Sequence, residues 1–356
     1  MLTSHHVALV KFAYTTDNIE PALPFLEKSI VFYPGMKGSN ESRPRSDMDL
    51  PPVAYLTIES GLTKTVTSNE VLQYDLFRGL CFIQRRSWRH AFDALERVIT
   101  YPAKDTYSCS KIMIEAYNKW VLVGLLLNGK TPTLPSITAP GPQKAYTALG
   151  KPYHAIGRAF EEPTAETLKT EFESLGAQFW GEENNLGLMR LVLQHYQRWQ
   201  ILNLRQVYTK ISLEQLRART QSGETAAPLG SVAEMEALVQ AMIDEGMLSG
   251  VIERPAGDGG DSQEAYLTFL ALNEEMSEAE FAQKMVRTAK RIKDLEPLVK
   301  ATNERLGTSQ EYVRYVVGQQ KREKDMAARG EYGGSSFMSQ VEDEDLMTGV
   351  VPGWAV

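Results

Sequence analysis

The hydrophobic positions in the first half of the chain repeat with the period of a helix. Apolar residues recur at every third or fourth position over residues 72–83 and again over residues 88–99, which is the spacing of one buried helix face. Gly79 and Ala91 lie where two neighbouring helices would have to approach each other closely. Pro102 ends the second stripe. The pattern predicts two antiparallel helices that pack through small residues.

The same pattern continues beyond this pair. A third apolar stripe covers residues 112–127 and ends at Asn128-Gly129, a sequence typical of a helix C-terminus. The offsets of small and apolar residues resemble a tetratricopeptide-type unit, and one such unit cannot cover its own apolar face. We therefore expect a mainly α fold that begins with a right-handed stack of TPR-like helical repeats. Residues 1–130 would form this N-terminal region, and residues 143–208 would continue the helices after a proline-rich linker.

The pattern changes type near residue 209. Ser212 and Ser231 each stand three residues before a glutamine or a glutamate, the arrangement of a capping box at the start of a helix. Alternating runs at residues 249–253 and 265–270 follow and predict two short strands. Helix, turn, helix and a two-stranded wing is the order of a winged helix. Residues 209–271 are therefore predicted to form a winged-helix subdomain.

A long amphipathic helix is predicted after the wing, within residues 273–328. Its stripe includes four apolar residues spaced 3, 4 and 7 positions apart, namely Ile292, Leu295, Val299 and Leu306. This spacing resembles the seam of a coiled coil. Residues 329–356 are rich in Gly and Ser and contain four consecutive acidic residues. Such a composition predicts a disordered acidic tail.

The charge and the cysteine content narrow the class of protein. The 356 residues include 38 Lys and Arg and 45 Asp and Glu, which gives a net charge of −7. An acidic chain is not suited to general binding of polyanions. There are only two cysteines, Cys81 and Cys109, so no disulfide framework is expected and a reducing compartment is indicated. The longest apolar run is too short to span a bilayer. These features predict a soluble intracellular protein.

One stretch matches a catalytic motif letter for letter. Residues 124–131 satisfy the phosphate-loop pattern G-x-x-x-x-G-K-[ST]. That loop needs a strand before it and, after it, a helix whose N-terminus faces the phosphates. Here the preceding residues have helical periodicity, and Pro132 and Pro135 forbid the following helix. The sequence therefore predicts a helix that ends at Asn128-Gly129 and not a nucleotide site.

Metal and hydrolytic sites have no candidate residues. None of the five histidines lies in a His-x-His or HExxH pattern, and the two cysteines do not form a CxxC pair. No Ser-His-Asp spacing or nucleophile elbow occurs either. We therefore assign no catalytic residue, no cofactor and no metal ligand.

Nucleic-acid binding needs separate consideration because winged helices often bind DNA. Between residues 190 and 220 there are six basic residues and a single acidic one. The helix that would enter a groove, at residues 232–245, carries four acidic residues and no Lys or Arg, and carboxylates repel phosphates. We therefore do not expect nucleic-acid readout. The basic patch is expected either to pair with the acidic segment at residues 161–183, in this chain or a neighbour, or to be a solvated face.

The order of these elements resembles the PCI-domain family, in which helical repeats lead into a winged helix and a C-terminal helix. Several short stretches, in their order and spacing, are similar to those of the third subunits of the COP-nine signalosome. They include Pro21-Ala-Leu-Pro-Phe-Leu26, Ile112-Met-Ile-Glu-Ala-Tyr117 and Met242-Ile-Asp-Glu-Gly246, and they extend through most of residues 1–270. That family is longer at its N-terminus, so we expect the N-terminal region of this chain to be truncated.

The resemblance implies a non-catalytic scaffold subunit of the signalosome. This complex removes a ubiquitin-like modifier from cullins (deneddylation) and thereby regulates cullin–RING ubiquitin ligases, and its isopeptidase lies in another subunit. The implied partners are other PCI and MPN subunits and, through the assembled complex, cullin–RING ligases. The implied location is the cytoplasm and nucleus, with no cofactor and no membrane.

Two alternatives share the fold. One is a PCI subunit of the proteasome lid. The other is an RNA-binding PCI adaptor of messenger-RNA export, which would use the basic residues Arg198, Arg205, Lys210 and Arg217.

Partner-binding residues are predicted on two surfaces. A strand of the wing, either residues 249–253 or residues 265–270, would pair edge to edge with another subunit. The seam of the long helix would be buried between subunits, because an isolated apolar seam is costly in water. The alternative is that the seam packs against its own domain. The predicted partner-binding residues are Ser249, Val251, Glu253, Tyr266, Thr268, Ile292, Leu295, Val299 and Leu306.

Overall fold

The computed structural model describes residues 2–28, 30, 61–102, 109–254, 265–270, 278–308, 312–318 and 320–321. The predicted disordered tail at residues 329–356 lies outside the described residues. The chain divides into two compact units, Met1–Glu275 and Met276–Val356. None of the helices in the described residues combines the length and the apolar composition that a bilayer crossing requires.

Helices form most of the first unit, as the apolar stripes predict. They are α1 (Ser4–Thr15), α2 (Leu23–Leu26), α3 (Ser68–Gln84), α4 (Trp88–Ile99), α5 (Lys111–Asn128), α6 (Pro140–Leu149), α7 (Lys151–Glu161), α8 (Ala165–Glu182) and α9 (Leu186–Leu204). Helix α4 packs against both α3 and α5, and α1 packs against α3. Only residues 85–87 separate α3 from α4, so the two run antiparallel. The prediction of a mainly helical fold is confirmed.

Helix α5 lies at the centre of the larger of the two hydrophobic cores that the described residues form. Twelve of its eighteen residues are buried, and it packs against α4, α7 and α9 as well as α3 and α6. Trp120 is fully buried and stacks on Phe92 of α4 at 5.1 Å between ring centroids. A helix that is apolar over most of its surface needs neighbours on most of its sides. The surrounding helices supply that cover.

Small residues allow the predicted close contact between α3 and α4. A Cβ placed on Gly79 would lie 3.0 Å from the side chain of Leu95, closer than almost any real contact of that kind. Ala91 is fully buried at the same contact. A side chain at position 79 would therefore push the two helices apart.

The segment that matches the phosphate-loop pattern is the end of α5. Gly129 ends the helix with φ of 65°, in the left-handed region, and its N–H donates to the carbonyl of Leu125 at 3.0 Å. A Cβ on Gly129 would lie 2.4 Å from the ring of Trp199 in α9. The N–H of Thr131 donates to Oε1 of Glu161 at 2.7 Å. The expected helix ending is confirmed, and the glycine is required by packing and by a helix cap.

A smaller core joins a three-stranded sheet to two short helices. The elements are β1 (Lys210–Ser212), α10 (Leu213–Arg219), α11 (Val232–Asp244), β2 (Gly250–Glu253) and β3 (Tyr266–Phe269). The strands lie in the order β1-β3-β2, and both pairings are antiparallel. Ile201 near the end of α9 is buried in the same core. The sequence predicts β2, β3 and both helices but not β1, because three residues directly before a helix show no alternation.

The two predicted helix caps are present. The Ser212 hydroxyl accepts a hydrogen bond from the N–H of Gln215, and the Ser231 hydroxyl accepts one from the N–H of Glu234, each at 3.2 Å. Each cap satisfies a backbone donor that the first turn of a helix leaves free.

The second unit contains α12 (Glu278–Thr308), a helix of 31 residues, and a further helical stretch at residues 312–318. The long helix predicted within residues 273–328 is therefore present from residue 278.

Asp75 is a buried carboxyl group in α3. Its Oδ1 lies 3.8 Å from Nη1 of Arg78 and has no hydrogen-bond partner among the described residues. Burial raises the pKa of Asp75 to about 6, although Arg78 and Arg97 lower it. Nε of Arg78 donates to the carbonyl of Leu26 at 2.6 Å, so this arginine is shared between Asp75 and the α2 region.

We expect Asp75 to make stability depend on pH. Since its folded-state pKa of about 6 lies above the ordinary value of 3.8, folding favours the neutral form, and the stabilisation is lost as the pH rises through about 6. When the pH is lowered from 7 to 4, the unfolding free energy of the wild type should therefore rise by about 2 kcal/mol relative to that of Asp75→Asn. Urea unfolding of both proteins at several pH values measures this difference. A difference that does not vary with pH would contradict the assignment.

We expect Gly129→Ala to destabilise the protein while Lys130→Ala does not. Alanine at position 129 would have to adopt the left-handed backbone and would collide with Trp199, which costs about 1–3 kcal/mol or more. Lys130 is exposed, so its truncation should change the unfolding free energy by less than about 0.5 kcal/mol. Thermal and urea unfolding of both variants measure the two effects. A larger loss of unfolding free energy for Lys130→Ala than for Gly129→Ala would contradict the assignment of this segment as a helix end.

Candidate interaction surfaces

The sequence predicts a free strand edge at residues 249–253 or at residues 265–270, and the sheet has only the first of these at an edge. Strand β3 pairs with β1 on one side and with β2 on the other. The interpretation of residues 265–270 as a free edge is therefore wrong, because the unpredicted strand β1 covers that side. Tyr266 and Thr268 lie on this central strand. Strand β2 is at the edge of the sheet, as one of the two alternatives requires.

The hydrogen-bond pattern shows which backbone groups of β2 face outward. The N–H of Leu270 donates to the carbonyl of Ser249 at 3.1 Å, so this pair is a hydrogen-bonded pair of the β2–β3 ladder. Bonded and non-bonded pairs alternate in an antiparallel ladder. The backbone groups of Gly250 and Ile252 therefore point away from β3 and have no strand partner among the described residues.

The side chains near this edge have different surroundings. Val251 is exposed, with 47% of its surface accessible. Nζ of Lys210 on β1 lies 2.5 Å from Oε2 of Glu253 and 5.3 Å from the ring centre of Tyr266. Glu253 and Tyr266 thus take part in a contact that ties the three strands together, and Val251 is left as the apolar side chain open to solvent.

The predicted seam of α12 is exposed within the second unit. The accessible fractions of Ile292, Leu295 and Val299 are 63%, 45% and 55%. Met285 and Phe281, two and three turns before Ile292, are also more than half exposed. Leu306 lies in the same helix, but its side chain is outside the described residues. A row of large apolar side chains in water is the typical feature of an interaction surface.

The basic residues of the segment 190–220 make contacts near the sheet. Ion pairs join Arg198 to Glu245 and Lys210 to Glu253. Nη1 of Arg217 donates to the carbonyl of Leu229 at 3.0 Å. Arg205 donates to the carbonyl of Leu270, and Arg219 to the hydroxyl of Tyr208.

These contacts change two expectations. No ion pair joins this basic segment to the acidic residues 161–183 in the described part of the chain, so the expected pairing within the chain is wrong. Instead, Arg198, Arg205, Lys210 and Arg217 hold the smaller core together. The four residues that an RNA-binding adaptor would use are thus engaged in folding contacts.

The titratable groups of the helical core are suited to packing and not to catalysis at neutral pH. Burial lowers the pKa of His6, His154 and His195, and raises the pKa of Cys81 to about 11. Nε2 of His154 lies 3.0 Å from the hydroxyl of Tyr117. Among the described residues no group of three His, Cys, Asp or Glu side chains could hold a metal ion.

Comparison with known proteins identifies the family. A family model described as COP9 signalosome complex subunit 3, N-terminal helical repeats, matches residues 1–140. A relative named COP9 signalosome complex subunit 3 from Neurospora crassa is 49% identical over 98% of this chain and 70% of its own length. Relatives of the same name from Emericella nidulans and Dictyostelium discoideum are 31% and 25% identical over 62% and 72% of this chain.

The share of each relative's length that this chain spans differs between the relatives. The chain spans 44% of the Emericella nidulans protein and 58% of the Dictyostelium discoideum protein. All three relatives carry the name of a subunit of the same complex, which agrees with the prediction of a signalosome subunit that is itself non-catalytic. On the match to the Neurospora crassa protein and to the helical-repeat model, the chain belongs to the family of COP9 signalosome complex subunit 3.

Proposed function

We propose that this protein is a scaffold subunit that binds other PCI and MPN subunits of the signalosome through the edge of β2 and the seam of α12. The observation that carries the proposal is the exposed apolar face of α12. The assembled complex would remove the ubiquitin-like modifier from cullins and so regulate cullin–RING ligases, in the cytoplasm and nucleus. This chain would contribute shape and binding surfaces and would need no cofactor.

The arrangement of the smaller core supports a winged-helix assignment for residues 209–271. Helices α10 and α11 pack against each other, and the wing strands β2 and β3 follow them. Strand β1 precedes the first helix and closes the sheet on β3, the position of the small strand in many winged helices. With α6 to α9 before it, this module would form the PCI domain, and α1 to α5 would form the right-handed TPR-like array.

The edge of β2 is suited to pairing with a strand of another chain. Gly250 and Ile252 present outward N–H and C=O groups that have no partner in the described residues, and such groups form main-chain hydrogen bonds with an added strand. Native edges are often blocked by charged side chains or proline. Val251 is apolar and exposed instead, so the edge can be approached.

The seam of α12 supplies an apolar contact of a different kind. Fully burying a Val, Leu or Ile side chain is worth about 1.5–3 kcal/mol. Since Ile292, Leu295 and Val299 are about half exposed, covering all three would contribute about 3 kcal/mol. The opposite side of the helix carries Arg287 and Lys290, which are exposed. The apolar side would therefore face the partner helices.

We expect replacement of the seam by asparagine to weaken assembly. The triple variant Ile292→Asn, Leu295→Asn and Val299→Asn should lower the affinity for co-expressed signalosome subunits by roughly 100-fold, since about 3 kcal/mol of apolar contact is lost. The control is Gln283→Asn, Arg287→Asn and Lys290→Asn, which places the same residue type on the opposite side of α12.

The readout of the seam experiment is the dissociation constant and the amount of co-purified subunits. The control should stay within about threefold of wild type. Equal loss in both triple variants would show that the apolar face is not the contact.

We expect Ile252→Pro to weaken strand pairing with a partner while β2 stays paired to β3. Proline removes one outward N–H, and the N–H groups that bond to β3 belong to its neighbours in the strand. The control is Ile252→Ala, which removes the side chain and keeps the N–H. If the affinity for the partner falls at least about tenfold further with proline than with alanine, the partner pairs with the edge of β2. Equal losses of affinity in both variants would show that the Ile252 side chain, and not the backbone N–H, makes the contact.

A further inference from the structure

A cavity in the first unit is not explained by either proposed interface. Its volume is about 520 Å³, and it lies where the ends of α1 and α3 meet the middle of α5 and the start of α9. The residues that carry its chemistry are Tyr14, Arg86, Glu115, Lys119 and Gly187, with leucine and isoleucine side chains between them. A volume of this size is within the range of about 300–1,000 Å³ that binding pockets span.

Lys119 is a buried cation in the wall of this cavity. Only 4% of its side-chain surface is accessible. Its Nζ lies 3.0 Å from Oδ1 of Asn185 and 3.2 Å from Oε1 of Glu115. The amide nitrogen of Asn185 in turn donates to the hydroxyl of Tyr153 at 2.5 Å. An ammonium group has three donors, so two are occupied by these contacts and the lysine is held in a fixed position with one donor to spare.

Two further donors line the same cavity. Arg86 follows the end of α3, and its backbone N–H donates to the carbonyl of Ile83 at 2.9 Å. Its guanidinium group is exposed and makes no ion pair in the described residues. The hydroxyl of Tyr14 also has no hydrogen-bond partner there, and burial raises the pKa of Tyr14, so it remains an O–H donor at neutral pH.

The charges of the cavity fit a single carboxylate. Arg86 and Lys119 contribute two positive charges and Glu115 one negative charge, which leaves one positive charge in excess. The single negative charge of a carboxylate balances this excess, whereas the negative charge of a phosphate group, up to two, exceeds it. An arginine fork and a fixed ammonium group are also suitable donors to the two oxygens of a carboxylate.

We propose that this cavity binds an aspartate or glutamate side chain from an acidic segment of a partner protein. The carboxylate accepts hydrogen bonds from Arg86, Lys119 and Tyr14. The apolar wall of leucine and isoleucine side chains contacts the neighbouring residues of the segment, which a free carboxylate ion does not supply. The site shares no residue with β2 or α12, so it does not rest on the assembly surfaces proposed above.

Glycine substitutions offer a test that leaves every charged group in place. A Cβ at Gly187, in the first turn of α9 and in the cavity wall, would meet no atom within 4 Å, so Gly187→Leu should fill the cavity. Gly181 in α8 has the same open surroundings and does not line this cavity, so Gly181→Leu is the matched control. Both variants should be at least as stable as wild type, because leucine favours a helix over glycine by up to about 1 kcal/mol.

The probe is a fluorescein-labelled nonapeptide that repeats Glu-Leu-Glu three times, and the readout is fluorescence anisotropy with the full chain. We expect Gly187→Leu and Arg86→Gln to weaken binding at least about tenfold, and Gly181→Leu and Arg89→Gln to change it by less than about twofold. Arg89 is exposed and pairs with Asp93, which makes it a control for loss of one surface arginine. The peptide with Gln in place of Glu should also bind at least about tenfold more weakly.

Three results would overturn the proposal. The first is no binding of the acidic peptide to the wild-type chain. The second is equal binding to Gly187→Leu and Gly181→Leu, which would place the contact outside the cavity. The third is displacement of the peptide by free glutamate at the same carboxylate concentration, which would assign the cavity to a small carboxylate ion and not to a protein segment.

Discussion

Burial of α5 determines how the other helices of the first unit pack. Its aromatic residues organise the neighbouring helices: Trp120 stacks on Phe92, and Tyr117 stacks on Tyr146 at 4.4 Å between ring centroids. The hydroxyl of Tyr146 then donates to the carbonyl of Ile99 at 3.0 Å, so the burial of one helix also fixes the end of α4. A helix that is apolar over most of its surface is stable only inside such a set of neighbours.

The contrast between the buried helix α5 and the exposed surfaces of β2 and α12 indicates what the protein does. The first unit buries twelve of the eighteen residues of α5, whereas β2 keeps an open edge and α12 keeps a row of apolar side chains in solvent. Contact of apolar side chains with water costs free energy, and this cost drives helix packing in the core. The same cost applies to the apolar side chains that these surfaces expose. Other chains would lower it, and membership in a family of complex subunits agrees with that explanation.

Local rules explain how much of this fold the sequence could predict. The helices follow from the spacing of apolar residues, and the caps at Ser212 and Ser231 follow from short-range hydrogen bonds. Strand β1 was missed because three residues carry no measurable alternation. Its absence from the prediction also made β3 look like a possible edge, although β1 pairs with it.

The contacts that depend on tertiary structure could not be predicted. Arg198 pairs with Glu245, which is 47 residues later in the chain, and no local pattern indicates this partner. Lys119 lies on the central helix as an ordinary charged residue in the sequence, and only the fold shows that Asn185 and Glu115 hold it in a cavity wall. The seam of α12, by contrast, can be predicted from its spacing alone, because apolar residues three, four and seven positions apart share one face of a helix.

Amide hydrogen exchange in α12, measured on the isolated chain and on the chain within its native assembly, shows whether partner chains cover the apolar seam. We expect fast exchange over residues 281–299 in the isolated chain and strong protection in the assembly, because partner helices then cover the apolar face. Equal exchange in both states would contradict it, since the surface would then be left uncovered by any partner.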